Sequence, residues 1–150
     1  NFSRLGLVVI DYIGLMESTS NSDNRAQQVG EISRNLKIMA KELQVPVIVC
    51  AQLSRGTETK GKSHKPALSD LRESGSIEQD ADIVCFLHRN RDDAKNLADG
   101  ASVDAEWIIE KNRNGQTGMV KLLFYPSRME FVVAARGDDK FAPGSAPAQS

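Results

Sequence analysis

Cysteine is scarce in this chain: Cys50 and Cys85 are the only two, each set inside an apolar run ("VPVIVCA", "DIVCFLH"). Neither has the close spacing that a zinc site requires, so both read as small buried core residues of a protein from a reducing, cytosolic compartment. Histidine is as rare. His64 and His88 have no metal-compatible partners at useful spacing and read as structural or surface residues. No apolar run approaches the ~20 residues needed to span a bilayer, and nothing resembles a secretory leader. The formal net charge is only −1, which removes any global electrostatic reason to expect a nucleic acid or a membrane as partner and leaves charge to be read locally. No internal repeat is visible. What remains, 150 residues at 40% hydrophobic and 26% charged, suits one ordinary globular domain with a core of its own.

"LGLVVI" (Leu5 to Ile10) is a short continuous run of β-branched character, the pattern of a strand covered on both faces, and Asp11 ends it with a charge. Because the sequence reaches this strand by Leu5, with no polar lead, it reads as cut from something larger. After a polar loop, Val29, Ile32, Leu36, Met39 and Leu43 recur at steps of three and four, which predicts a helix from about Arg25 to Gln44. "VPVIVCA" is a second buried strand, and strand, helix, strand is the unit that builds parallel sheets. "ALSDLRESGSIEQDAD" predicts a short, interrupted helix, and "DIVCFLH" a third buried strand. Residues 89–104 read as a charged surface loop. "AEWIIEK" and "MVKLLFY" around the turn signal in "NRNGQTG" predict a hairpin, and "MEFVV" one further strand. From Ala134 onward the small-residue composition is that of a mobile tail.

"GTETKGKS" (Gly56 to Ser63) fits the phosphate-binding pattern G-x-x-x-x-G-K-[ST] letter for letter. Its context does not. Gly56 lies several residues beyond the nearest strand, so no strand aims the loop at a phosphate. The following "HKPALSDLRESG" lacks the apolar stripe of a helix that packs on a sheet. The segment therefore reads as a basic loop, with Arg55, Lys60, Lys62 and Lys65 against Glu58. Such a run is usually just solvated, and would bind a phosphate backbone if it faced a central channel.

Asp11 is a better nucleotide signal. An apolar strand ending in Asp puts a carboxylate at the carboxyl end of a parallel strand, where open α/β sheets bind ligands, although an ordinary turn residue has the same look. The segments "LVVIDYIGLM", "ISRNLKIMAKELQVPVIVCAQLSR", "LSDLRESGSIEQDADIVCFLHR" and "EKNRNGQTG" decide between these. In their order and spacing they resemble DnaB-type replicative DNA helicases of the RecA-like ATPase superfamily, over about Leu5 to Val133. "DLRESGSIEQDAD" is the most specific element.

The resemblance implies an α/β, partial RecA-like fold, a mainly parallel sheet flanked by helices with a C-terminal β-hairpin. Residues 1–134 would be the C-terminal half of the motor domain and 135–150 a flexible tail. It further implies that Asp11 is the Walker B aspartate positioning Mg²⁺ on ATP, and that Gln52 senses the γ-phosphate. Lys111 and Arg113 would be the lysine and arginine finger reaching the ATP site of a neighbouring subunit. In other systems such a guanidinium contributes ~10³ to 10⁵ in rate. Arg72, Glu73 and Gly75 match the loop that grips single-stranded DNA in a hexamer's channel: Arg72 pairs with a phosphate, Gly75 lets its backbone N–H approach closely, and Glu73 orients neighbours. A homo-hexamer, a primase and a helicase loader are the implied protein partners, with no membrane. The family's P-loop and catalytic glutamate are expected upstream of Asn1. Two departures, Gly14 where many relatives have Gln and "QLSR" for the commoner "QLNR", weaken nothing essential. A non-catalytic RecA-like DNA-binding or ring-adaptor protein is the alternative. A recombinase or clock-type ATPase is a third reading, which "RESGSIEQDAD" argues against.

Overall fold

The computed structural model describes residues 5–18, 24–53, 64–89 and 100–134. The P-loop-like segment 56–63, the basic residues Arg55, Lys60 and Lys62, and the tail 135–150 lie outside this set, as does most of the predicted surface loop. The described residues fall into two units, one within 5–53 and 67–81, the other within 64–66 and 82–134.

In the first unit β1 (Val8–Ile10) and β2 (Val47–Val49) pair in parallel, with Val8 opposite Val47 and Ile10 opposite Val49. Between them runs α1 (Arg25–Leu43). It starts where Asn24, in extended conformation, accepts the Ala26 N–H at 3.0 Å, satisfying one of the first-turn donors that have no partner within the helix. It ends where Gln44 turns left-handed at φ 53° and leads the chain into β2. The predicted stripe is the buried face: Val29, Ile32 and Leu36 are buried and pack with Ile13, Ile10, Met39 and Val49, whereas Leu43 at the helix end is exposed. Each such burial is worth roughly 1.5–3 kcal/mol. That outweighs the ~0.5–1 kcal/mol by which the mid-helix Gly30 disfavours the helix.

The reason for Gly30 is a neighbour. The predicted interrupted helix is a 3₁₀ segment, Leu68–Ser74, kinked at Leu71, running into the short helix α2 (Gly75–Asp80). A Cβ at Gly30 would meet the Ser76 Oγ at 2.7 Å, so glycine lets α2 approach α1. Ile77 of α2 then joins the core against α1.

The second unit is an antiparallel meander of four strands in the order β3 (Ile83–Arg89), β4 (Val103–Asn112), β5 (Gly118–Tyr125), β6 (Glu130–Val133). Its core is Val103, Ala105, Leu122 and Phe124. Arg89 stacks on the Phe124 ring at 4.9 Å, and the Phe131 ring closes on Phe124 at 4.5 Å between centroids.

The α/β class, the parallel strand–helix–strand unit and the C-terminal hairpin are as the sequence predicts, but the balance of sheet types differs. "DIVCFLH" pairs antiparallel with β4 and takes no place beside β1 and β2 among the described residues. Its burial alternates, Val84 and Phe86 inside, Ile83 and Leu87 exposed. An unbroken apolar run conceals that alternation, because every residue is apolar on both faces. Cys50 corrects a second expectation. It lies just beyond the end of β2, on the side of Ile48, and is exposed rather than core; Cys85 is half-buried. The face carrying Val9 and Ile48, 60% and 53% exposed, has no cover among the described residues, although parallel strands are normally covered on both sides.

Burial pushes the Cys85 thiol above its ordinary value, a hydrogen bond with Trp107 pulling the other way. Since the thiolate is the reactive form, iodoacetamide applied to the native 150-residue chain is expected to label Cys50 well before Cys85, with the difference abolished in denaturant. Peptide mapping over time checks this. Equal native rates would mean that β3 and β4 are not packed as described.

Candidate functional site

Asp11 and Gln52 leave the carboxyl ends of two adjacent parallel strands. The backbone ties them together beyond the last paired residues: Cys50 N–H donates to the Ile10 carbonyl at 2.8 Å, and Ile13 N–H donates to the Cys50 carbonyl at 3.0 Å. Asp11 and Gln52 are both exposed, so each side chain has solvent access just beyond these backbone bonds. The turn after Asp11 is itself held. Ile13 is buried in the core, and the Arg25 guanidinium of α1 donates to the Gly14 carbonyl at 2.8 Å and to the Met16 carbonyl at 3.3 Å. Gln28 accepts from the same guanidinium at 3.0 Å. Sequence reasoning missed Arg25; its one signal is its position directly after the helix-capping Asn24.

Arg72, Glu73 and Gly75 share one continuous segment, the 3₁₀ turns and the first residue of α2. The side chains of Arg72 and Glu73 lie outside the described set. Gly75 has ordinary right-handed angles, φ −52° and ψ −27°, and a Cβ there would meet nothing within 4 Å. Neither backbone conformation nor packing among the described residues requires glycine at this position. The segment is anchored by Asp70, a second residue that sequence reasoning passed over. Asp70 is 1% exposed, its carboxylate accepts the Ala67 N–H at 3.0 Å, and its own N–H donates to the Ala67 carbonyl at 2.9 Å. Leu71 beside it is buried, which roots the turns from which residues 72–75 continue.

Lys111 and Arg113 stand together in the other unit, Lys111 in the last residues of β4 and Arg113 in the turn beyond it. The β3–β4 ladder has a bulge: Cys85 faces Ile109 while Val84 faces Lys111, so Glu110 is the extra residue. A bulge shifts the alternation by one and turns the following side chains to the other face. Lys111 therefore points opposite to Ile109, away from the side where Cys85 and Trp107 lie. Arg113 is half-exposed, its guanidinium 2.9 Å from the Asp82 carboxylate. Of the basic loop, Lys65 is described, with its ammonium 2.7 Å from Glu106 on β4.

Among the described residues no group of three or more His, Cys, Asp or Glu could enclose a metal ion. A lone exposed aspartate at a strand end still suits Mg²⁺, which keeps most of its waters and takes one or two carboxylates plus phosphate. No helix among the described residues is long and apolar enough to cross a membrane.

A family model described as DnaB-like helicase C terminal domain matches residues 1–133. The chain is 49% identical over 146 residues to the replicative DNA helicase DnaC of Bacillus subtilis (strain 168), covering 96% of this chain and 32% of that protein. It is 49% identical over 139 residues to the replicative DNA helicase DnaB of Geobacillus stearothermophilus, covering 92% of this chain and 30% of that protein. A solved structure of a DnaB-like replicative helicase and its interactions with primase matches with a TM-score of 0.73 at 45% identity, over 84% of this chain and 30% of that one. The chain thus spans about a third of the length of the curated relatives it matches.

Removing the Asp70 carboxylate leaves the partly buried Ala67 N–H without that acceptor, which costs up to ~1–3 kcal/mol. Asp70→Ala is expected to lower the thermal melting point of the chain accordingly, and Asp70→Asn, which keeps an acceptor, to lower it less. An unchanged melting point in both would show that the 3₁₀ segment does not depend on this side chain.

Proposed function

The chain belongs to the DnaB-like helicase C-terminal domain family, and from that premise we propose that it is the C-terminal half of a replicative helicase motor. In the full-length protein it would form part of a homo-hexameric ring that couples ATP hydrolysis to movement along single-stranded DNA and to unwinding of the duplex ahead. The observation that carries this reading is that Asp11 and Gln52 follow the carboxyl ends of adjacent parallel strands, where α/β sheets bind nucleotides.

Asp11 would hold Mg²⁺ on ATP, in part through water, and the ion when bound neutralises charge on the phosphate oxygens. Gln52, two residues beyond Cys50, would hydrogen-bond the γ-phosphate and register its loss. Lys111 and Arg113 would act on the ATP of a neighbouring subunit, the guanidinium offsetting charge on the transferring phosphoryl group. Each chain would thus serve parts of two ATP sites. The uncovered face at Val9 and Ile48 supports this reading, because a P-loop strand and helix from the longer protein would give the parallel sheet its missing layer.

Arg72, Glu73 and Gly75 would line the DNA channel. Gly75 supports this reading: where packing and conformation leave room for any residue, a phosphate backbone approaching the peptide N–H supplies a reason for glycine. Backbone contacts carry no sequence information, so no base preference is expected. A primase and a loader are the further partners proposed, the former in line with the primase-bound relative, and the cytosol is the proposed compartment.

Two substitutions in a full-length subunit test the reading. Arg113→Ala is expected to leave ATP binding nearly unchanged and to lower hydrolysis by ~10³ or more; normal turnover would remove the finger assignment. Gly75→Ala is expected to stabilise α2 by up to ~0.5–1 kcal/mol while weakening single-stranded DNA binding. Melting and fluorescence-anisotropy titrations measure the two effects separately. A stabilised variant with undiminished DNA affinity would take Gly75 out of the channel.

A further inference from the structure

The ion pair at Arg113 has a specific geometry. Asp82 holds Arg113 twice. Its carboxylate accepts from the guanidinium at 2.9 Å, and its carbonyl accepts the Arg113 backbone N–H at 2.8 Å. The backbone bond is the last rung of the β3–β4 ladder, following the pairs Val84 with Lys111 and Ile83 with Asn112 beyond the bulge. From the other side the same turn is fixed by the Asn112 side-chain amide, which donates to the Gln116 carbonyl at 3.2 Å. Both partners of the ion pair are about half-exposed, at 48% and 50%, and pairs of that kind contribute little to stability.

We infer that Asp82 is a positioning residue for Arg113, an inference that rests on the reading of Arg113 as a finger. An arginine side chain that must reach a phosphoryl group on another subunit loses much rotamer freedom on arrival. A carboxylate that already holds the guanidinium, on the residue that also holds the backbone, removes part of that loss before the nucleotide arrives. This gives the final aspartate of "DLRESGSIEQDAD" a task of its own, separate from that of Arg72, Glu73 and Gly75. In this assignment Asp82 acts through Arg113.

The test is steady-state ATP hydrolysis by full-length rings carrying Asp82→Ala, Arg113→Ala, or both. Asp82→Ala is expected to lower kcat about tenfold or more, with KM for ATP and affinity for single-stranded DNA unchanged. The double variant is expected to be no slower than Arg113→Ala alone, because Asp82 has nothing left to position. An impaired Arg113→Ala beside a wild-type kcat in Asp82→Ala overturns the positioning role and leaves the finger intact. A raised kcat in Asp82→Ala overturns it too, since Asp82 would then restrain the finger, and so does a double variant whose losses multiply. Normal hydrolysis in Arg113→Ala removes the finger itself and the inference with it. Should Asp82→Ala fail to form rings, Asp82→Asn, which keeps the shape and drops the charge, is read by the same kcat and KM criteria.

Discussion

The backbone of one residue fixes the relation on which the candidate nucleotide site depends. The amide and carbonyl of Cys50 bond to Ile10 and Ile13, one residue on either side of the segment Asp11–Tyr12, so the chain that leaves β1 is stitched to the chain that leaves β2. Asp11 cannot shift without moving the strand from which Gln52 follows. The stitch holds because Ile13 is buried against Val29, Ile32 and Leu36, and because Arg25 ties the Gly14 and Met16 carbonyls to the start of α1. Apolar burial supplies the free energy and the backbone hydrogen bonds supply the precision, which is the usual division of labour between non-directional and directional interactions.

The hairpin solves a different problem, directing charged groups at the end of a sheet. An extra residue, Glu110, turns Lys111 to the other face, and the ladder then continues two pairs further to bring Arg113 onto Asp82. A regular ten-residue strand would have put Lys111 on the face of Cys85 and Trp107. The 3₁₀ segment solves a third: Asp70 and Leu71 root it, α2 docks it through Gly30, and Gly75 is left exposed at the junction. In each case the backbone around a candidate residue is held by hydrogen bonds or packing on either side of it.

Much of this is legible in the sequence, and the remainder is illegible for physical reasons. The α1 stripe, the Asn-Gly hairpin and the broken helix at "RESG" write their periodicity or their turn chemistry directly into residue types. The partner of "DIVCFLH" does not, because a run that is apolar at every position fits a one-sided antiparallel strand as well as a two-sided parallel one. Nor does the bulge at Glu110, a shift of register with no compositional mark, nor Cys50, whose burial depends on where β2 ends. Asp11 and Gln52 could be assigned only together with the rest of the family pattern. Asp70 and Asp82 lie inside the most specific string in the chain without a mark of their own, since a carboxylate that holds a backbone N–H or a guanidinium looks the same, letter by letter, as one facing water.

Asp11 and Gln52 are proposed to serve one ATP site and Arg113 the next. The most direct measurement is ATP hydrolysis by rings assembled from an equal mixture of full-length Asp11→Ala and Arg113→Ala subunits. Each variant alone has every site defective. In mixed rings about a quarter of the interfaces, by chance, pair an intact Asp11 with an intact Arg113 from the neighbour. Hydrolysis is expected to reappear on mixing, well above the sum of the two separate preparations. A mixture no more active than its components would place both residues in the same site and rule out this division.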